Sequence, residues 1–342
     1  MTDAAIAPRI ERPGLAERLE GALPVLLVPA IALAGLGLIG APTTWLTLTA
    51  AGLAMGMMIF LMASGLTVVF GLMDVINFGH GAFIAVGAFV GVTVLAQLAG
   101  LTGAPSLALN LVALVAALLV AMAATGALGW AFERAIVRPV YGFHLKQILV
   151  TMGGLIIAQQ LILAIWGPDA ITLSRPQALK GSVVIGGALV ETYRILAAGL
   201  GLAAFLAIRL TLKRSRIGLL VRAGVENAEM VEALGYRIRR LFVAVFMAGC
   251  ALAGAGGVMW ALYQETVTAQ MGSEIMILVF IVVIVGGLGS IEGCFIGALL
   301  VGLVANYTAF LAPKVALISN IGLMVLVLMW RPQGLYALVK AK

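Results

Sequence analysis

The sequence predicts an all-α polytopic membrane protein: about ten transmembrane helices, a re-entrant or broken segment, and a short cytoplasmic helix. Three observations lead there. Hydrophobic residues make up 63% of the 342 and charged ones only 10%, against about 25% charged in soluble domains. So few charges cannot cover a globule in water. Apolar runs of about 20 residues, the length that crosses a bilayer, recur along the chain. Finally, Trp45, Trp130, Trp166, Trp260 and Trp330 all fall at run ends, where amphipathic rings sit at headgroup level.

Residues 1–21 mix acidic and basic side chains and lack the apolar core of a signal peptide, so they read as a cytoplasmic tail. Residues 22–342 read as one transmembrane domain that includes the inner loop 212–240. Its candidate spans are 22–40, 46–70, 80–98, 107–130, 146–166, 193–211, 241–262, 274–292, 293–311 and 315–330. The stretch 274–311 is open between two spans and one span with a re-entrant piece. The GLGLIG run at 35–40 matches G-x-G-x-x-G, but it lies in an apolar span with no strand before it and reads as helix.

Basic clusters orient the spans. Arg9, Arg12 and Arg18, then Arg134, Arg138 and Lys146, then eight Lys and Arg residues around 209–240, then Arg331, Lys340 and Lys342 all fall on one side of the count. The other side holds Arg175, Lys180 and Lys314, with Arg194 at a span edge. Both termini are therefore expected in the cytoplasm. The net charge of +7 is explained by this asymmetry and not by nucleic acid. The pairs Gly52/Gly56, Gly87/Gly91 and Gly293/Gly297 have the spacing that packs helices closely.

Residues 65–91, GLTVVFGLMDVINFGHGAFIAVGAFVG, place Asp74, Asn77 and His80 between apolar runs and among Gly71, Gly79, Gly81 and Gly87. A charge at the bilayer centre costs at least about 2.5–3.5 kcal/mol, so polar groups at depth mark a pathway. Asp74, Asn77, Gly79, His80 and Gly81 are read as the lining of a translocation route. A helix starting at Gly79–Gly81 would offer free N–H groups and a positive dipole end to a carboxylate. A re-entrant arrangement would bring it to mid-depth. Asn77 and His80 have a second possible role, satisfying the backbone groups that the break frees. Asp74 reads as a helix cap or the partner of a base. Gly286, Gly287 and Gly289 serve either close packing or a gating hinge. The GCFI at 293–296 echoes GAFI at 81–84, a hint of an internal repeat.

The inner loop predicts one amphipathic helix from Ala223 to Leu234. Val225, Ala228, Val231 and Leu234 form one stripe, Glu226, Glu229 and Glu232 the next, and Gly235 supplies the stop. It could be a connector, an interfacial helix or a docking helix for a cytoplasmic partner.

Together GLTVVFGLMDVINFGHGAF, EMVEALG, GGLGSIEGCFIGALLVG and RPQGL, in that order, resemble the LivH-type permeases of branched-chain amino acid ABC importers, across residues 50–336. The resemblance implies a translocating subunit for branched-chain amino acids or amide and carboxylate analogues, in the bacterial inner membrane. It implies a LivM-type second permease, two ABC ATPase subunits and a periplasmic substrate-binding protein. It also implies that Glu226, Glu229, Glu232 and Gly235 couple to the ATPases. The importers' loop motif is Glu-Ala-Ala, three residues, then Gly; Glu229 and Gly235 match it, while Met230 and Val231 replace the alanines.

No G-x-x-x-x-G-K-[ST] occurs, and no His, Cys or carboxylate spacing reads as a metal site. The expectation is a transport subunit without enzymatic activity or a cofactor of its own, with ATP and magnesium held by its partners. An ion-coupled secondary transporter or channel is the alternative. It would fit the spans but not the acid-striped loop helix.

Overall fold

The computed structural model describes residues 15–336, so most of the expected N-terminal tail lies outside the described residues. Thirteen helices are found among them: α1 (Leu15–Ile39), α2 (Pro42–Met73), α3 (His80–Gln97), α4 (Ala99–Thr102), α5 (Leu107–Phe132), α6 (His144–Trp166), α7 (Thr192–Arg214), α8 (Arg216–Glu226), α9 (Ala228–Ala233), α10 (Ile238–Gln264), α11 (Met271–Gly286), α12 (Ile291–Leu311) and α13 (Ala316–Trp330). Ten are apolar and stand where the ten spans were expected; α4, α8 and α9 are short connectors. GLGLIG lies at the end of α1, which Gly40 closes at φ +72°.

The stretch 274–311 is two helices, α11 and α12, joined at 287–290. At 16 residues, α11 is about 24 Å long, short of the ~30 Å hydrocarbon core. It begins inside the membrane, because the chain dips before it does.

That dip occurs twice. Asp74 ends α2 in the left-handed conformation at φ 51°, and Glu265 ends α10 the same way at φ 56°. Each is followed six residues later by the first residue of the next helix, His80 or Met271. The hydrogen bonds match position for position: Asp74 N–H to Phe70 O (2.9 Å) with Glu265 N–H to Ala261 O (2.8 Å), and His80 N–H to Asn77 O (3.3 Å) with Met271 N–H to Thr268 O (3.2 Å). The neighbourhoods match as well. α2 packs on α12 as α10 packs on α5, and α3 packs on α5 and α6 as α11 packs on α12 and α13. The two units meet at their shared position: a Cβ on Gly81 would stand 2.5 Å from Gly272 O, and one on Gly272 would stand 2.2 Å from Gly81 O.

The repeat is therefore α2–α3–α5–α6 with α10–α11–α12–α13. The GAFI–GCFI echo is not its register, since 293–296 belongs to α12 and the counterpart of 81–84 is Gly272–Ile275. The units are inverted. Asp74 lies beside His144 at one face, whereas Glu265 pairs with Arg175 of the loop between α6 and α7 at the other. There β1 (Ile171–Thr172) pairs antiparallel with β4 (Thr266–Val267), and a hairpin of β2 (Ser182–Ile185) and β3 (Ala188–Glu191) lies nearby.

α2 forms the centre: 78% of its apolar stretch is buried, against 17% for α6 and for α7. Small residues set this packing. Gly52 and Gly56 admit α12 at Leu303 and Ala298, Gly87 and Gly91 admit α10 at Gly254 and Val258, and Gly293 and Gly297 admit α11 at Gly286 and Val282. All three small-residue pairs thus serve helix contacts. Trp260 departs from the tryptophan belt: it is 6% exposed and packs beside Tyr263, so it anchors no interface.

The inner loop is also not the single helix expected. It is α8 and α9, broken at Asn227, which takes an extended conformation (φ −154°, ψ 94°) and caps α9, its Oδ1 accepting the Met230 N–H at 2.9 Å. Asparagine gains more from this cap than from helix interior. The apolar stripe is shorter than expected: Val231 is buried, but Leu234 is 71% exposed. Gly235 does close the segment, at φ +88°.

Candidate translocation site

The first break is held open by α6. The Ile76 N–H donates to Gln147 Oε1 (3.2 Å) and the Phe78 N–H to Thr151 Oγ1 (3.1 Å). Alternate residues of an extended chain are about 6.6 Å apart, and side chains one turn apart on a helix about 6 Å. Two buried polar residues at i and i+4 on α6 therefore replace a strand partner. The Thr151 hydroxyl donates in turn to Gln147 O at 2.7 Å.

This pairing carries the chain back into the membrane. His80 is fully buried, and its Nε2–H donates to Met62 O at 2.9 Å. Met62 lies eleven residues before the end of α2, so α3 starts about 16 Å inside that end. The expected re-entrant arrangement is present, with α3 beginning at His80 behind Gly79 and without a side-chain cap. A Cβ on Gly79 would stand 2.7 Å from the Phe132 ring and 2.9 Å from Thr151 O.

Asn77 is fully buried, and among the described residues neither end of its amide has a hydrogen-bond partner; nor does His80 Nδ1. Orphaned buried amides are rare because each loses the hydrogen bonds of water, about 1–3 kcal/mol per group. The break thus holds unsatisfied polar atoms at mid-depth beside a helix N-terminus. Phe78 closes this point against Phe280 of α11, ring centres 4.6 Å apart. Asp74 stands apart from the other four residues, exposed at the C-terminal end of α2 and 3.9 Å from His144.

Gly286, Gly287 and Gly289 gather at the C-terminal end of α11. Gly287 has φ +99° and Gly289 +81°, conformations that side chains resist. A Cβ on Gly71 would stand 2.7 Å from Gly289 Cα, so this knot also receives the end of α2. The RPQGL segment folds over it. Leu335 N–H donates to Val285 O and Tyr336 N–H to Gly286 O, satisfying carbonyls that α11's end leaves open.

The loop between α7 and α10 packs on the last turns of α2, beside the first break, and on the first turns of α10. Val221 of α8 is buried between Val68 of α2 and Val245 of α10, with Leu72, Met73 and Ile291 around them. At the end of α7, Arg209 and Lys213 both reach Glu292 in the first turn of α12. A displacement of α8 would therefore press on the last turn of α2 and on the start of α12. On α9, Glu229 and Met230 point outward, Met230 61% exposed, while Val231 packs inward. Of the two residues that replace the motif's alanines, only Met230 is exposed. Glu232 and Gly235 line a shallow groove with Tyr236, Arg237, Arg239 and Arg240. The Glu226 side chain lies outside what the structure describes. Nearby, Tyr141 donates to Glu133 at 2.8 Å; burial first, and that carboxylate second, push its hydroxyl above the usual phenol range.

Gln147, Thr151 and Gly272 were not singled out from the sequence. The first two were legible as the polar i, i+4 pair of an apolar span.

Residues 48–329 match the family model described as the branched-chain amino acid transport system / permease component. The chain is 29% identical over 294 residues to the high-affinity branched-chain amino acid transport system permease protein BraD of Pseudomonas aeruginosa, covering 83% of this chain and 93% of that one. It is 28% identical over 291 residues to the permease proteins LivH of Salmonella typhimurium and Escherichia coli, covering 83% of this chain and 92% of each. The chain is a multi-pass membrane protein and belongs to the family of permease components of branched-chain amino acid transport systems.

Proposed function

We propose that the chain is one of two permease subunits in an ATP-driven importer of the bacterial inner membrane. Its cargo is branched-chain amino acids or amide and carboxylate analogues of them. A LivM-type permease, two ATPase subunits and a periplasmic binding protein complete the assembly, and both termini face the cytoplasm. Hydrolysis belongs to the ATPases, which hold the nucleotide and magnesium.

The observation that carries this reading is the dip at 74–80. A pathway residue must be polar and deep; Asn77 is both, and it is unsatisfied. The uncapped start of α3 presents N–H groups to a substrate carboxylate there. Asp74 sits at the inner mouth. Closure of the ATPases moves α8 and α9 through Glu229, Glu232 and Met230, and α8 passes the motion through Val221 to the end of α2. The glycine knot at 286–289 serves as the hinge. Binding within the permease is weak, and selectivity rests mainly with the binding protein.

The test is leucine uptake by the assembled complex in proteoliposomes. Uptake should require ATP on the cytoplasmic side and persist with an ionophore. Uptake that ignores loss of the ATPases and collapses with an ionophore would mark an ion-coupled transporter instead.

A further inference from the structure

We infer that Glu274 lines the solute route at the bilayer midplane and holds the ammonium group of an amino acid substrate. This rests on the reading above that the cargo is an amino acid, and it adds a second contact point to it.

Glu274 lies in the first turn of α11. Two residues earlier, Gly272 is in contact with Gly81, the second residue of α3, which itself starts at mid-depth. Measured the other way, Glu274 precedes the inner end of α11 by twelve residues, about 18 Å. Both routes place it well inside the hydrocarbon core. Its side chain is nevertheless exposed on this subunit, and among the described residues it forms no ion pair. It does not cap its helix either.

The surface around it is apolar. Ile277 is 60% exposed one turn further along α11, and Ile156 and Ile157 of α6 are 57% and 60% exposed. A bare carboxylate turned toward lipid at this depth is strongly disfavoured, so this face meets water or protein in the working complex. A polar residue of α6 reaches the residue that precedes Glu274 in the chain. Gln159 Nε2 donates to Ser273 Oγ at 3.1 Å, and Ser273 Oγ donates to Gln270 O at 2.7 Å. Gln159 thereby spends a donor and keeps its amide oxygen as an acceptor.

A carboxylate and an amide oxygen are both acceptors. An alkylammonium, with three donors and one charge, complements that pair. The α3 start offers the opposite chemistry, an N–H end beside the Asn77 amide. The two half-helices that touch at Gly81 and Gly272 thus address the two ends of a zwitterion.

The test compares wild-type, Glu274→Gln and Glu274→Asp permeases in the full complex, at matched abundance in proteoliposomes, by initial rate of leucine uptake. Gln should lower the rate at least tenfold; Asp should stay within threefold of wild type. Glu274→Cys should react with a membrane-impermeant cationic thiosulfonate in at least one nucleotide state, and delivery of leucine should slow the reaction. The native Cys250 and Cys294 are buried. A Gln variant that imports at the wild-type rate, or a cysteine unmodified in every state, overturns the inference. If the wild-type complex moves no leucine, the cargo reading falls and takes the ammonium assignment with it, while labelling still decides whether residue 274 lies on the route.

Discussion

The break after α2 and the break after α10 have the same backbone and different chemistry. Each opens on an acidic residue in the left-handed conformation, spans the same six-residue step and ends in a half-helix that starts at mid-depth. The first is sealed inside the subunit by α6 and leaves the Asn77 amide unsatisfied. The second is tied to the loop between α6 and α7 by β1 and β4 and leaves Glu274 exposed. A duplicated scaffold supplies the geometry, and a few polar side chains decide what each copy does with it.

The two copies are most sensitive to substitution where they touch. Gly81→Leu and Gly272→Leu should each abolish leucine uptake, because a side chain at either position collides with the other's carbonyl oxygen. Overpacking of this kind costs about 1–3 kcal/mol, so the purified complex should also melt at a lower temperature. Equal loss supports the symmetry; retention of more than half the wild-type rate in either variant breaks it.

Counterpart positions sharpen it. Asn77 corresponds to Thr268, each accepting the N–H that starts the following half-helix through its backbone carbonyl. Asn77→Leu should cut uptake at least tenfold, whereas Thr268→Val should change it less than twofold. Similar losses in the two would show that both side chains serve folding alone.

The smallest effect compares the left-handed residues. Asp74→Gly should raise the thermal midpoint slightly, since glycine relieves about 1 kcal/mol of backbone strain and Asp74 is exposed. Glu265→Gly should give no such gain, because it also removes the carboxylate 3.0 Å from Arg175 Nε. Matched shifts would mean that the Arg175 contact contributes nothing.

Much of the fold was legible because membrane helices are written in long apolar runs. The ten apolar helices could be read that way, and the break at 74–79 and the stop at Gly235 from the polar residues and glycines between them. The inverted repeat could not. Its register rests on backbone conformation at Asp74 and Glu265; in that register α3 and α11 share Gly81/Gly272, Ile84/Ile275, Phe89/Phe280, Val92/Val283 and Val94/Val285, matches that do not stand out among so many apolar residues. The Asn227 break was missed because a helical stripe runs straight through it; the cap that interrupts the stripe is a single side-chain hydrogen bond. Trp260 was misplaced because position along a span does not tell which way a ring faces. In the site, Asn77 and His80 stood out as polar residues at depth, but the residues that hold their segment, Gln147 and Thr151, lie seventy residues away, and no local pattern joins them.

The proposed crossing of solute where α3 and α11 begin, driven from α8 and α9, is decided by a structure of the assembled complex trapped with leucine. Leucine should lie between the starts of the two half-helices, with α9 seated on an ATPase subunit. Leucine bound elsewhere in the membrane, or α9 facing the outside, would contradict it.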